Sequence, residues 1–146
     1  MKVEPIKATL SDLHSINKII KSCIYTRPVT DRMKRLTQGL LYLQTTDFEL
    51  MEIWIIGVPI IGVIALREME AGVLLHSLYI DPKAAGKGVG RSLVNKAIFL
   101  TLETNHSRLI VKAFKEAVGF FTKVGFVESD ILDYPYTLEL SVQGKS

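Results

Sequence analysis

In the first third of the chain the hydrophobic positions recur at helical spacing. Leu13, Ile16, Ile20 and Cys23 share one face after Ser11-Asp12, which reads as the cap, while Asp12, His14, Lys18 and Lys21 take the other. Arg27-Pro28 ends this helix, because the residue before proline avoids helical angles. Thr30-Asp31 restarts one with Met33, Leu36, Leu40 and Leu43 inward. The period then shortens to that of strands. Residues 48–56 and 59–67 predict an antiparallel hairpin around Gly57-Val58, and residues 73–80 a third strand of the same sheet. A glycine-bearing loop, 84–90, leads into a helix over 91–103. A strand at 109–113, a short helix at 116–123 and closing strands near 126–129 and 137–142 complete the pattern, with a short strand opening within 1–8. The expected class is a mixed α/β layer architecture, read as one domain over residues 1–146, and not the strict alternation of a doubly wound fold.

Composition narrows the picture. The chain has 146 residues, 48% hydrophobic and 23% charged, which are the proportions of a globular core and exclude a disordered or fibrous chain. The single cysteine, Cys23, excludes an internal disulfide and fits a reducing compartment. The opening MKVEPIKATLSD lacks the continuous apolar stretch of a signal peptide. The most apolar run, residues 53–66, is interrupted by Gly57 and Pro59, whereas a membrane helix needs about 20 unbroken apolar residues. A cytoplasmic location with no membrane partner is expected. A net charge of +3 leans towards anionic partners but is too mild to mark a nucleic-acid binder, so none is expected. Three scattered histidines and one cysteine make no metal-ligand spacing, so no metal is expected either.

The informative stretch runs from Leu78 to Leu93. A strand enters, Pro82 ends it, and a helix starts beyond the alternating glycines Gly86, Gly88 and Gly90. Amides at a helix N-terminus have no internal partner and lie at the positive end of the dipole. Glycines let phosphate oxygens approach them without a Cβ in the way, and Lys87 and Arg91 add charge. The physical reading is a diphosphate cradle. Neither the nucleotide P-loop nor the dinucleotide fingerprint fits: the lysine precedes the second glycine, and Arg91 stands at the last glycine of G-x-G-x-x-G. The plainer alternative is a tight strand-to-helix turn with glycines kept for packing.

This stretch resembles motif A of the GNAT superfamily of acyl-CoA N-acyltransferases, V-x-P-x-x-[QR]-x-x-G-x-G-[AVI]. The run from Ala117 to Phe126, AVGFFTKVGF, resembles the family's A-x-x-F-Y-x-K-x-G-F signature, and the order of elements is similar over nearly the whole chain. The resemblance implies a central, mostly antiparallel sheet splayed between its fourth and fifth strands, with helices on both faces. It implies acetyl-CoA as cosubstrate. Backbone groups of Leu78, Tyr79 and Ile80 would meet the pantetheine arm and the acetyl carbonyl, and the amides of Ala85, Gly86, Lys87, Gly88, Val89 and Gly90 would hold the pyrophosphate. Many relatives pair through their sheets, so a homodimer is an open option.

The chain departs from the family at three positions. Ala85 stands where Gln or Arg is usual, Phe114 where Asn or Ser is common, and Phe121 where a tyrosine often protonates the departing thiolate. Phenylalanine has no hydroxyl for that task. Tyr79, Tyr134 and Tyr136 are candidate substitutes. For the base, His76-Ser77-Leu78-Tyr79-Ile80 resembles the His-x-Leu-x-Val run of the arylalkylamine N-acetyltransferase branch, whose histidine belongs to the proton pathway; the glutamate of the histone-acetylating branch would stand at Leu74 and is absent. Two-residue alternation places His76 on one face with Leu74, Leu78 and Ile80. An imidazole of pKa about 6.5 is neutral enough at pH 7 to accept a proton, and a strand histidine satisfied by a carbonyl is the competing reading.

Acceptor clues conflict. The stretch from Lys18 to Arg35 carries six Lys or Arg against Asp31, and Arg27 would border the acceptor pocket, whereas Glu128, Asp130 and Asp133 would attract a cation. The expectation is an N-acetyltransferase that moves an acetyl group from acetyl-CoA to a primary amine, of a small molecule or a protein, by direct attack in a ternary complex. The alternative is a CoA-binding protein of the same fold with weak or no catalysis.

Overall fold

The computed structural model of the chain describes residues 4–25, 42–130 and 136–142. Among the described residues, seven strands form one sheet in the order β1-β2-β3-β4-β5-β7-β6: β1 Ile6–Lys7, β2 Glu52–Ile56, β3 Gly62–Glu68, β4 Val73–Ile80, β5 Arg108–Lys112, β6 Val127–Glu128 and β7 Thr137–Ser141. Every neighbouring pair is antiparallel except β4 and β5, which run parallel. Helix α1 (Leu13–Tyr25) covers one face, and α3 (Val89–Leu102) and α4 (Val118–Lys123) the other; α2 is the single turn Asp47–Leu50.

Coverage on both faces explains the apolar strands. In β3, Val63 and Ala65 enter the α1-side core with Ile16, Ile20, Ile53 and Ile55, while Ile64 and Leu66 enter the α3-side core with Leu75, Leu93, Val94 and Val111. A strand buried on both sides reads as a continuous β-branched run rather than an alternating one. No helix among the described residues is long and apolar enough to cross a membrane.

Several boundaries differ from the sequence reading, each for a local reason. Helix α1 is preceded by a tight turn, Leu10–Asp12, whose cap is Thr9 rather than Ser11: the Thr9 amide donates to Asp12 Oδ2 at 2.8 Å. Residues 48–50, read as strand, belong to α2, where Asp47 Oδ2 accepts the Gln44 amide at 2.7 Å and starts the turn. The Gly57-Val58 turn is longer than expected and closes with the Ile61 amide on the Ile56 carbonyl at 2.8 Å. The break at Arg27-Pro28 and the second helix begun at Thr30-Asp31 lie outside the described residues, save Leu43. That residue is buried and clamped to α1: Asn17 Nδ2 donates to its carbonyl at 3.0 Å, and its amide donates to Asn17 Oδ1 at 2.9 Å.

The departure that matters most is in β4. Across β3 and β4, Leu66 faces Leu75 but its neighbour Ala65 faces Ser77, so His76 is an extra residue, a β-bulge. The bulge reverses the parity of the strand. Val73 and Leu75 point to the α3 side before it, and Leu78 and Ile80 do so after it, while Ser77 and Tyr79 turn to the α1 side with Ala65 and Val63. The expectation that His76 shares a face with Leu78 and Ile80 is therefore overturned.

Candidate active site

Parallel pairing between β4 and β5 is short. It joins Val73 to Leu109, Leu74 to Ile110 and Leu75 to Val111, and then stops, although β4 continues to Ile80. Beyond that point the strands bound a slot lined by His76, Ser77, Leu78, Lys112, Phe114 and Phe121 among others, holding a cavity of ≈ 70 Å³. A cleft between two strand edges suits an extended arm.

The edge of β4 offers this slot its main chain. The Asp81 amide donates to the Ile61 carbonyl at 2.8 Å, on the β3 side. Hydrogen-bonding direction alternates along an antiparallel strand, so Tyr79 also turns to β3, while the backbone groups of Leu78 and the amide of Ile80 face away from β3, on the slot side; the Ile80 carbonyl is taken by the Cys23 thiol. Of the three residues expected to offer their main chain, Tyr79 thus stands apart. Its ring packs in the α1-side core.

At the end of β4, Asp81 Oδ1 accepts the Lys83 amide at 3.0 Å and caps a short turn, Pro82–Ala84. The Ala85 amide closes this turn on the Pro82 carbonyl at 3.3 Å, so it is not one of the amides left open, contrary to expectation. From Gly86 onward the situation changes. Helix α3 begins at Val89 with Gly88 as its N-cap, and its first bond there is the Ser92 amide on the Gly88 carbonyl at 3.0 Å. Among the described residues, no acceptor is paired with the amides of Gly86, Lys87, Gly88, Val89, Gly90 or Arg91. Gly86 and Gly88 have φ of +79° and +80°, and a Cβ on either would meet nothing within 4 Å. The loop is open, not folded shut. An anion fits there, and the residues that would hold it are the amides of 86–91 with the side chains of Lys87 and Arg91. Gly90 serves packing instead: its Cβ would lie 3.0 Å from Phe120 Cζ of α4.

His76 stands at the slot with one side open to solvent, and its Nδ1 lies 2.8 Å from Ser77 Oγ. Burial of the remainder pushes its pKa below the ordinary 6.5; Asp47 pulls it up, and Arg67 and Lys112 press it down. The ring is consequently neutral at pH 7. Asp47, Arg67 and Lys112 were not singled out from the sequence, because they come from α2, β3 and β5 and share no motif.

The other candidates separate from this group. Phe121 is buried, packed edge-on against Phe120 and Phe126 at 5.2 Å between ring centroids, and puts hydrocarbon where the family resemblance expects a hydroxyl. Phe114 lines the slot and is 41% exposed. Tyr136 and Glu128 line a different cavity of ≈ 340 Å³ with Val118 and Leu138. Arg27, Asp133 and Tyr134 lie outside the described residues. Cys23 is directed inward, its thiol donating to the Ile80 carbonyl at 3.1 Å. His14 is exposed on α1, and His106 pairs with Glu68 at 3.5 Å.

Comparison with known proteins places this geometry. Residues 45–132 match the model of the acetyltransferase (GNAT) domain. The peptidyl-lysine N-acetyltransferase YjaB of Escherichia coli (strain K12) is 38% identical over 73 residues, covering 47% of this chain and 48% of that protein. The matched region is thus about half the length of this curated relative. Among solved structures, the PaiA N-acetyltransferase of Thermoplasma acidophilum in complex with coenzyme A superposes with a TM-score of 0.83 at 16% identity, over 97% of this chain and 99% of that one. A GNAT family acetyltransferase of Brucella melitensis in complex with acetyl-CoA gives 0.69 at 11%, over 99% and 91%. At these identities the structural likeness speaks for the fold.

Proposed function

Since the chain belongs to the GNAT acetyltransferase family, we propose that it is an acetyl-CoA-dependent N-acetyltransferase acting on a primary amine. The observation that carries this reading is the run of amides at 86–91, without acceptors and beside open space, in the loop that follows the strand whose edge bounds the slot. Peptidyl lysine is the acceptor class that the name of the Escherichia coli relative supports.

Acetyl-CoA, when bound, supplies the activated acetyl group. The loop amides, with Lys87 and Arg91, hold its diphosphate. The edge of β4 gives the backbone groups of Leu78 and the amide of Ile80 to the extended arm, as a sheet edge does for an added strand. The same amides polarise a carbonyl laid against them. His76 takes the proton that the acceptor's ammonium must lose before its nitrogen can attack, directly or through one water, and its depressed pKa keeps it ready to accept at pH 7.

Calorimetry with acetyl-CoA, followed by thiol release with lysine-containing peptides, tests this. Binding together with acceptor-dependent thiol release is expected; no binding at millimolar acetyl-CoA refutes the reading. A second reading, a CoA-binding protein without catalysis, is favoured by the hydrocarbon of Phe114 and Phe121 in the slot. It predicts binding with no turnover on any amine offered.

A further inference from the structure

Neighbouring side chains on a regular strand point to opposite faces and cannot touch. His76 and Ser77 do touch, at 2.8 Å from Nδ1 to Oγ, because the bulge brings both to the α1 side of β4. Ser77 is only 5% exposed, in a position otherwise surrounded by apolar groups such as Ala65 and Tyr79. A hydroxyl there loses its water and keeps the imidazole nitrogen as its hydrogen-bond partner. A neutral imidazole carries its proton on one nitrogen only, so whichever role Ser77 takes at Nδ1 decides what Nε2 can do.

The role of base settles the direction: a neutral ring that accepts a proton at Nε2 carries its own at Nδ1. The parallel register ends with Val111 against Leu75, so Lys112 and His76 are the next residues of the two strands, and both line the slot. Arg67 faces Leu74, the residue two before His76, from β3. Both cations oppose a further positive charge on the ring. Asp47 of α2 acts in the opposite sense, and more strongly than either cation alone.

We propose that Ser77 is a positioning residue: its hydroxyl accepts the Nδ1–H of His76 and keeps Nε2 unprotonated towards the slot. The inference rests on the reading of His76 as base, and it extends that reading to a residue that acts through the imidazole and not on the reacting atoms. The arrangement survives a full proton cycle. When Nε2 accepts a proton the imidazolium still donates from Nδ1 to the same oxygen, now more strongly, and no group has to rotate.

The test uses the full chain labelled with ¹⁵N at histidine. With three histidines, His76 is assigned by comparison with His76→Gln, and its tautomer is read from ring nitrogen shifts across a pH series. The expected result is a neutral ring protonated at Nδ1. In Ser77→Ala, which removes one oxygen opposite Ala65 and keeps the strand, the tautomer preference is lost and the titration moves to lower pH, because the imidazolium loses its acceptor; acetyl transfer falls about tenfold with KM for acetyl-CoA unchanged. Ser77→Thr restores the parent tautomer. A parent ring protonated at Nε2, or a Ser77→Ala ring with unchanged tautomer and titration, overturns the proposal whatever the rate does. An undiminished rate in His76→Gln with the parent tautomer as expected removes the base reading instead and leaves the hold of Ser77 on the ring standing.

Discussion

Gly88→Ala isolates the anion cradle from the fold. Gly88 is the N-cap of α3, with φ 80° and ψ 9°. An L-residue forced into that left-handed conformation costs about 1–2 kcal/mol. No steric term is added, because the new Cβ meets nothing within 4 Å. For a chain of this size the melting temperature should fall by about 2–4 °C per kcal/mol, or about 2–8 °C in total. Binding should suffer more. The open space beside Gly88 is where a phosphate oxygen would approach the amides of 86–91, and a methyl there obstructs at least one charge-assisted hydrogen bond, worth about 1.5–3 kcal/mol. That corresponds to about a 10- to 100-fold rise in Kd for coenzyme A. Thermal unfolding of the free protein and calorimetry with coenzyme A read the two effects separately. A variant that melts lower as calculated yet binds coenzyme A within twofold of the parent would show that the loop does not carry the diphosphate.

Three further outcomes follow from the same geometry. The acid limb of the pH–rate profile should lie below 6.5, because His76 is held below that value and base activity is lost only as pH falls through its titration; His76→Gln should abolish that limb, and an unchanged limb would assign it to another group. Asn17→Ala leaves the Leu43 amide and carbonyl without their side-chain partner and should destabilise the chain by about 2 kcal/mol, seen as a lower urea midpoint with the same slope. Phe121→Tyr puts a hydroxyl at the wall of the slot and should raise kcat about tenfold or more without altering coenzyme A affinity; no gain would mean that proton delivery at this position does not limit turnover.

What the sequence made legible was whatever local chemistry dictates alone. The strand 73–80 was readable because both of its faces are buried and Pro82 stops it, and the loop because Gly86 and Gly88 occupy conformations that few other residues accept. The start of α3 was read two residues late. Gly90 disfavours a helix, yet it lies within the first turn because the approach of Phe120 leaves no room for a side chain. Residues 48–50 were taken for strand because Phe48 and Leu50 alternate with polar neighbours, while the decisive contact, Asp47 on the Gln44 amide, is a side-chain geometry that hydrophobic periodicity does not register. The charged groups around His76 were out of reach for a different reason. Asp47, Arg67 and Lys112 are far apart in the chain and meet only through strand register.

The bulge at His76 shows why the unreadable part is also the functional part. An extra residue in a strand changes neither composition nor hydrophobic content, so nothing in the sequence marks it. Its consequences are nonetheless several. Pairing of β4 with β5 ends at Leu75, the residue before the bulge. Past that point the β4 edge has no strand partner on the slot side among the described residues, which leaves the backbone of Leu78 and the amide of Ile80 facing the opening. The reversal of parity sends Tyr79 into the α1-side core and Leu78 and Ile80 into contact with the α3 side, so each face of the sheet stays filled despite the inserted residue. The same reversal sets the imidazole of His76 beside the hydroxyl of Ser77. A regular strand could supply an edge or a histidine, but it could not bring the neighbouring side chain to that histidine. One irregularity in register therefore accounts together for the slot, the exposed main chain and the hydrogen-bonded ring.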